Sequence, residues 1–292
     1  MKVYGVLVTY NPDYNELEEA VERLLEQVDK LVIANNSKYD VFFNHERIYI
    51  FNFGENLGIA KAQSIAMKWA FIDEKAEFIV QMDQDSIIPV DMVKQLLNKY
   101  QKLSSLNMRV GIIGPKHYDK TTNQVDKSRL IKGDNIENEN CTIVKATISS
   151  GSLIPREAYL TIGGMDDGLF IDFVDWEYSW RLKQHGWLTI RANGILLGHQ
   201  VGDGKQKILG KIDARIPAPI RHYYHTRNIF LLLPRDYAPL KWKIKELYKL
   251  FFKLIIYPFV FSDGFFRCKY ILRGIKDGVL QRYGRIDQLY RR

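Results

Sequence analysis

Residues 78–85, Phe-Ile-Val-Gln-Met-Asp-Gln-Asp, run a hydrophobic strand straight into two carboxylates, Asp83 and Asp85, spaced i and i+2. Open α/β sheets bind their ligands at the carboxyl ends of strands, and hard oxygen ligands of this kind suit Mg²⁺ or Mn²⁺ carrying a diphosphate. A bare Asp-x-Asp also occurs in ordinary solvated turns. The strand before it, and Ser86-Ile87-Ile88-Pro89 leading into a new helix, favour the metal reading. A second acidic group, Asp172, Asp175 and Glu177, stands near the start of a helical pattern. On a regular helix Asp172 and Asp175 share a face, while Glu177 is turned about 200° from Asp175 and has Arg181 at i+4. Only one of Asp175 and Glu177 can therefore serve a single site. Asp175 is the candidate catalytic carboxylate, and Glu177 reads as half of a surface ion pair.

His199 follows the strand-like residues 194–197 and is a candidate third metal ligand, a structural histidine being the alternative. Lys205, Lys207, Lys211 and Arg215, within residues 202–219, suit a lid closing over phosphate. Arg221, Arg227 and Asn228 follow as candidate contacts to a diphosphate or an acceptor.

The elements that must position these groups alternate strand and helix through residues 1–115, the spacing of a parallel sheet. Strands are expected at 3–9, 30–34, 47–53, 78–85 and 110–114. Helices are expected at 14–28, from Asn56-Leu57-Gly58 onward, and at 90–103. Asp13 can cap the first helix, whose Leu17, Ala20, Val21, Leu24 and Val28 recur at helical period. Residues 116–140 are polar and read as a long surface excursion. A strand at 141–149, a helix at 155–162 broken by Gly163-Gly164, and a helix at 170–184 with the apolar stripe Phe173, Trp176 and Trp180 complete this part. No internal repeat or low-complexity segment is present.

The chain has 292 residues, long enough for one large α/β domain or two smaller ones, and 46% of them are hydrophobic, ample for a buried core. Cys141 and Cys268 stand far apart without metal-ligand spacing, which fits a reducing compartment. The N-terminal apolar run reaches Asn11-Pro12 too soon for a leader and reads as a first core strand. No stretch approaches the roughly 20 apolar residues of a spanning helix. The net charge of +8 belongs to the end of the chain: residues 241–292 hold 13 Lys and Arg against 4 Asp and Glu, a net of +9 that leaves −1 for residues 1–240. Within them residues 250–261 are apolar and aromatic apart from Lys253, flanked by Lys241, Lys243, Lys245 and Lys249 and by Arg267, Lys269 and Arg273. This pattern points to an amphipathic helical tail lying on an anionic membrane surface, with packing on the catalytic domain as the alternative. Nucleic-acid recognition motifs are missing, so no nucleic-acid partner is expected. The domain boundary is expected at 237/238.

In this order, Val8-Thr9-Tyr10-Asn11, Asn35-Asn36-Ser37, Asn56-Leu57-Gly58-Ile59-Ala60, Gln81 to Ser86, Ser150-Gly151-Ser152, Gly163 to Asp166 and Phe170 to Glu177 resemble the family 2 inverting glycosyltransferases of the GT-A fold. Within that family the similarity is to bacterial rhamnosyltransferases of surface polysaccharide synthesis. It covers about residues 1–235. The resemblance implies a Rossmann-like, mostly parallel sheet flanked by helices and a nucleotide-sugar donor, dTDP-L-rhamnose ahead of a UDP-sugar. It places Thr9, Tyr10, Asn11 and Asn35 near base and ribose, and adds Asn56, Gly58 and Gly151 to the donor site. Asp83 falls near the ribose or diphosphate, Asp85 on the metal, and Asp175 at the general base. It also implies a lipid-linked saccharide acceptor and a peripheral location on the cytoplasmic face of the cell membrane. Asn35 departs from the acidic residue usual at its position, and Val174 from the first member of a Glu-Asp pair. The rival readings are a phosphohydrolase with a nucleophilic first Asp, disfavoured because its motif belongs on a first strand, and a non-catalytic membrane-bound scaffold.

Overall fold

The computed structural model describes residues 1–120, 122–123, 133–199, 205–208, 212–215 and 217–289, with positions 199, 205–208 and 212–215 described by main chain alone. Its contacts group into two compact units, Met1–Asp166 with Asp175–Gln200, and Asp167–Val174 with Val201–Arg292. The boundary expected at 237/238 differs from this grouping, which joins the basic tail to everything after residue 200 and to a short segment before Asp175.

The first unit is built on a nine-stranded sheet. Its first half comprises β1 (Val3–Thr9), β2 (Lys30–Asn35), β3 (Ile48–Asn52) and β4 (Phe78–Asp83), ordered β3-β2-β1-β4 and parallel throughout. All seven residues of β1 are buried, as expected for a central strand covered on both faces. Helices α1 (Tyr14–Leu25), α2 (Ile59–Lys68) and α3 (Met92–Ser105) connect these strands and lead on to the next. Asp13 caps α1 as its position suggests, accepting from the amides of Asn15 and Glu16 at 2.9 and 3.2 Å. Leu17, Val21 and Leu24 of α1 join Leu7, Leu31, Ile33 and Met82 in one core cluster. Each such side chain contributes about 1.5–3 kcal/mol by leaving water.

The second half of the sheet is mixed. It contains β5 (Val110–Asp119), β6 (Asp134–Ile136), β7 (Cys141–Val144), β8 (Leu153–Pro155) and β9 (Leu188–His199). Short β8 pairs antiparallel with both β4 and β5, β5 runs parallel to β9, and β7 runs antiparallel to β9. The expected excursion at 116–140 is shorter than its polarity suggests, because β5 continues to Asp119 and β6 begins at Asp134. Helix α4 (Arg156–Ile162) follows β8, and α5 (Val174–Gln184) precedes β9.

The second unit contains α6 (Pro219–Leu232), α7 (Leu240–Val260), α8 (Gly264–Val279), α9 (Ile286–Leu289) and the hairpin β10 (Lys205–Ile208) with β11 (Ile212–Arg215). Helix α8 lies directly on the backbone of α6. A Cβ on Gly274 would stand 2.6 Å from the Tyr223 carbonyl, and one on Gly278 would stand 2.7 Å from the Arg227 carbonyl. The expected tail is therefore integral to this unit's packing. Asp277, fully buried, accepts from the Tyr223 hydroxyl at 2.8 Å and from Arg282 at 3.1 Å.

His222 gives this unit a pH dependence. Burial, with the nearby charges of Lys253, Arg267 and His225 outweighing that of Asp172, pushes its pKa down to about 4. The Arg267 guanidinium lies 3.0 Å from His222 Nε2, a donor that favours the unprotonated ring. The unfolded chain takes up the proton near pH 6.5 and the folded chain near 4, so stability is full above 6.5 and falls as pH drops through that window. Urea unfolding at pH 5 should show about 2 kcal/mol less stability than at pH 7.5 from this group. His222→Gln should flatten the dependence; an unchanged slope would remove His222 as its source.

Candidate active site

Strand order reverses at the β1/β4 junction, and the carboxyl edge at such a reversal is where open α/β sheets bind their ligands. Register sets Asp83 beside Val8, and Thr9 beside Asn35. The loops after these strands are cross-linked. Tyr10 donates its amide to Gln84 Oε1 at 2.7 Å, and Gln84 Nε2 donates back to the Tyr10 carbonyl at 3.2 Å. Asn11, at a left-handed φ of 45°, donates its amide to Ser37 Oγ at 2.8 Å. Asn36 Oδ1 accepts from the Leu57 amide at 3.1 Å, and Asn56 Oδ1 accepts from the Gly58 amide at 2.9 Å, fixing the entry to α2.

Thr9, Tyr10, Asn11, Asn35, Asn56, Gly58, Asp83 and Asp85 are thus gathered around one edge of the sheet, but they differ in what they leave open. Tyr10 and Asn11 are exposed, and Asp83, Asp85 and Asn56 are half-buried. Thr9 and Asn35 are both 0% exposed. Asn35 Oδ1 accepts from Thr9 Oγ1 at 3.1 Å and from the Ser37 amide at 3.0 Å. Its Nδ2 donates to the Tyr39 carbonyl and to Asn52 Oδ1, each at 2.8 Å. That uses the full hydrogen-bonding capacity of the amide. Asn35 is thereby a brace for the strand ends, where the sequence suggested a base or ribose contact.

The acidic turn is supported from below by the segment before β8. The Asp83 amide donates to Ser150 Oγ at 3.3 Å, Ser150 Oγ lies 2.8 Å from Ser86 Oγ, and Gly151 donates its amide to the Gln81 carbonyl at 2.7 Å. His117 Nε2 lies 2.9 Å from the Ser150 carbonyl, and Lys120 donates to the Asp85 carbonyl at 3.0 Å. Gly151 has φ of 78°, and a Cβ there would stand 2.7 Å from Pro115 Cγ. Its role is to let this turn pass close under the acidic pair. Sequence reading missed Gln84, His117 and Lys120. Gln84 carried a signal, since it lies between the two aspartates.

No group of three or more His, Cys, Asp or Glu side chains comes together as a metal cage among the described residues. The His199 side chain lies outside the described part of the structure; its main chain ends β9 beside Asp119. Two carboxylates are a fitting donor set for Mg²⁺ or Mn²⁺, which keep waters and bind substrate phosphates in their remaining positions. Of the expected lid, residues 202–204, 209–211 and 216 lie outside the described residues, and 205–208 pair with 212–215.

The second acidic cluster differs from its expected geometry. Helix α5 begins at Val174, so Asp172 is not on it and shares no helical face with Asp175. Asp175, half-buried in the first turn, accepts from the Trp176 amide at 2.9 Å. Glu177 pairs with Arg181 as its spacing suggests, through contacts of 2.7 and 3.0 Å, but the pair is interior, with Glu177 only 1% exposed. Arg181 also donates to the carbonyls of Ile162 and Gly164, tying α5 to the end of α4. In the second unit Asp172 is paired with Arg221. Arg227, expected at a ligand, is 0% exposed and gives its guanidinium to main-chain carbonyls and to Asn228.

Comparison with known proteins places these features in context. The family model described as Glycosyl transferase family 2 matches residues 6–162. The dTDP-rhamnosyl transferase RfbF of Shigella flexneri is 34% identical over 255 residues, covering 84% of each chain. Among solved structures, S. aureus TarS residues 1–349 in complex with UDP-GlcNAc aligns with a TM-score of 0.57 at 15% identity, over 95% of this chain and 80% of that one. GalNAc-T7 with UDP, GalNAc and Mn²⁺ aligns with a TM-score of 0.55 at 13% identity, over 96% of this chain and 56% of that one. These two likenesses establish the fold.

Proposed function

Because the chain belongs to glycosyl transferase family 2, with the GT-A fold, we propose that this glycosyltransferase moves L-rhamnose from dTDP-L-rhamnose onto a lipid-linked saccharide in bacterial surface polysaccharide synthesis. The observation that carries this reading is the relationship to dTDP-rhamnosyl transferase RfbF along 84% of both chains. Its test is whether dTDP-L-rhamnose, supplied with Mn²⁺, is turned over in preference to UDP-sugars.

In this reading the sugar donor binds at the carboxyl edge of β1 and β4. Tyr10 and Asn11 are the groups open to base and ribose, while Thr9, Asn35, Asn56 and Gly58 hold the surrounding loops in shape. Asp83 and Asp85 would hold a divalent cation, which when bound neutralises charge developing on the departing nucleoside diphosphate. Asp175 takes the proton from the acceptor hydroxyl as it attacks the face of the sugar opposite the leaving group, inverting the anomeric centre. The scaffold alternative has little to explain two separate acidic groups on one enzyme fold.

The acceptor reading draws on α7 and α8. Only Trp242, Glu246 and Leu250 of α7 are buried, a single i, i+4, i+8 stripe. Ile244, Tyr248, Phe251, Ile255, Phe259, Phe265 and Leu272 are 48–81% exposed among Lys241, Lys245, Lys249 and Lys269. Exposed apolar surface of this extent, rimmed by lysines, fits insertion into an anionic interface. No described helix is long and apolar enough to cross a membrane. Full-length protein should co-sediment with vesicles containing anionic lipid and lose binding at high salt. Changing Phe251, Phe259 and Phe265 together to Ser should weaken vesicle binding by about 10²-fold or more while leaving the melting temperature in place. Undiminished binding by that variant would exclude the α7/α8 face as the membrane surface.

A further inference from the structure

The segment leading into α5 takes a path that its own side chains disfavour. Phe170, Asp172 and Phe173 have φ of 65°, 68° and 63°. These are left-handed values that L residues seldom adopt, bulky ones least of all. Three within four consecutive residues require an external hold, and α6 supplies it. Asn228 Nδ2 lies 3.0, 2.7 and 2.9 Å from the carbonyl oxygens of Leu169, Ile171 and Asp172. Arg227 Nη2 donates to the carbonyls of Gly168 and Leu169 at 3.1 and 2.8 Å, and Nη1 donates to that of Gly284. Arg227 also holds its neighbour: Nε and Nη2 lie 3.1 and 3.0 Å from Asn228 Oδ1, which turns the amide nitrogen toward the carbonyls.

The side chains of the segment are held by the same helix. Phe170 stacks on Tyr224 with ring centroids 4.7 Å apart, Asp172 pairs with Arg221, and Phe173 meets His225 at 4.6 Å and Trp242 of α7 at 5.1 Å. Arg227 and Asn228 are both fully buried. Burying a guanidinium costs stability unless its donors are used, and an aliphatic residue could fill this space at less cost. What the pair supplies, and leucine could not, is a main chain fixed in a strained form. Strain of this kind persists only where its surroundings over-determine it, and it concentrates at functional sites.

We infer that Arg227 and Asn228 are positioning residues for Asp175: by pinning the carbonyls of residues 168–172 they fix where α5 starts and how its first-turn carboxylate is aimed. The inference rests on Asp175 being the general base. It is tested in the full-length enzyme with Asn228→Ala, Arg227→Lys, Asp175→Asn and the Asn228→Ala/Asp175→Asn double variant. Transfer kcat, KM for the nucleotide sugar and melting temperature are measured for each.

A misaimed base should lower transfer kcat by roughly 10- to 10²-fold in Asn228→Ala, with KM for the sugar donor within about twofold of wild type. The double variant should be no slower than Asp175→Asn alone, because the latch acts through a base already removed. If the two losses multiply, or if KM rises while kcat is kept, the positioning role is overturned. A wild-type rate in Asp175→Asn would instead overturn the base assignment, and the inference with it. Should Asn228→Ala fail to fold, Asn228→Ser retains one donor, and amide exchange across residues 168–173 in Arg227→Lys reports the latch directly. Accelerated exchange there with unchanged kcat would also overturn the proposal.

Discussion

Asp175→Asn is expected to lower the transfer rate by about 10²- to 10⁴-fold, the usual worth of a positioned acid-base group, while affinity for nucleotide sugar and metal stays within about twofold. The substitution keeps the size of the side chain and an oxygen that can still accept from the Trp176 amide. What it removes is the basicity that an attacking hydroxyl needs. Glu177→Gln provides the contrast. Its carboxylate is interior and spent on Arg181, which in turn secures the carbonyls of Ile162 and Gly164. Losing that charge should cost on the order of 2 kcal/mol of stability, Arg181 being partly exposed, and leave the chemical step near wild type at temperatures where the protein is folded. Steady-state kinetics beside thermal melts separate the two. Loss of transfer in a stably folded Glu177→Gln, with Asp175→Asn active, would exchange their roles.

Asp85→Ala is expected to remove the metal-dependent part of nucleoside-diphosphate binding. Two carboxylates at a strand end are a sparse donor set, so each carries a large share of the cation's hold on the protein. Calorimetric titration of the nucleoside diphosphate with and without Mn²⁺ should show metal strengthening binding to wild type and a loss of at least about 10²-fold of that gain in the variant. Ser150 and Gly151, which brace this turn from the β8 side, leave the fold with its own support when the Asp85 side chain is lost. An unchanged metal dependence would assign the cation elsewhere.

Much of the first half of the fold can be read from pattern alone. The run of buried residues in β1, the capping Asp13, the helical period of α1 and the hydrophobic strand ending in Asp83 are local signals, and local physics determines them. Where long-range contacts decide, reading fails. Strand β8 is three residues long and exists because β4 and β5 flank it. Phe173, Trp176 and Trp180 lie at helical spacing, which extended the expected helix back to residue 170. The left-handed turn there is bonded by Asn228, more than fifty residues later, with no Gly or Asn in residues 170–173 to announce it.

The site shows the same division. The types and spacing of Asp83, Asp85 and Asp175 are what make them candidates for chemistry. Whether a polar side chain faces a ligand or its own neighbours depends on contacts that no spacing encodes, so Asn35 and Arg227 read as ligand groups when both are internal braces. The basic tail is a further case. Charge composition reports surface and set residues 241–292 apart, whereas Gly274 and Gly278 pack α8 onto α6 and make the tail part of the same folded unit.

The assignment as a rhamnosyltransferase is tested most directly by nucleoside-diphosphate release from a panel of nucleotide sugars, with Mn²⁺ and with chelator. Release from dTDP-L-rhamnose should exceed that from any UDP-sugar by about tenfold or more, fall to background with chelator, and rise on adding a saccharide-lipid acceptor. Equal release from UDP-GlcNAc, or turnover of dTDP-L-rhamnose that is indifferent to chelator, would contradict it.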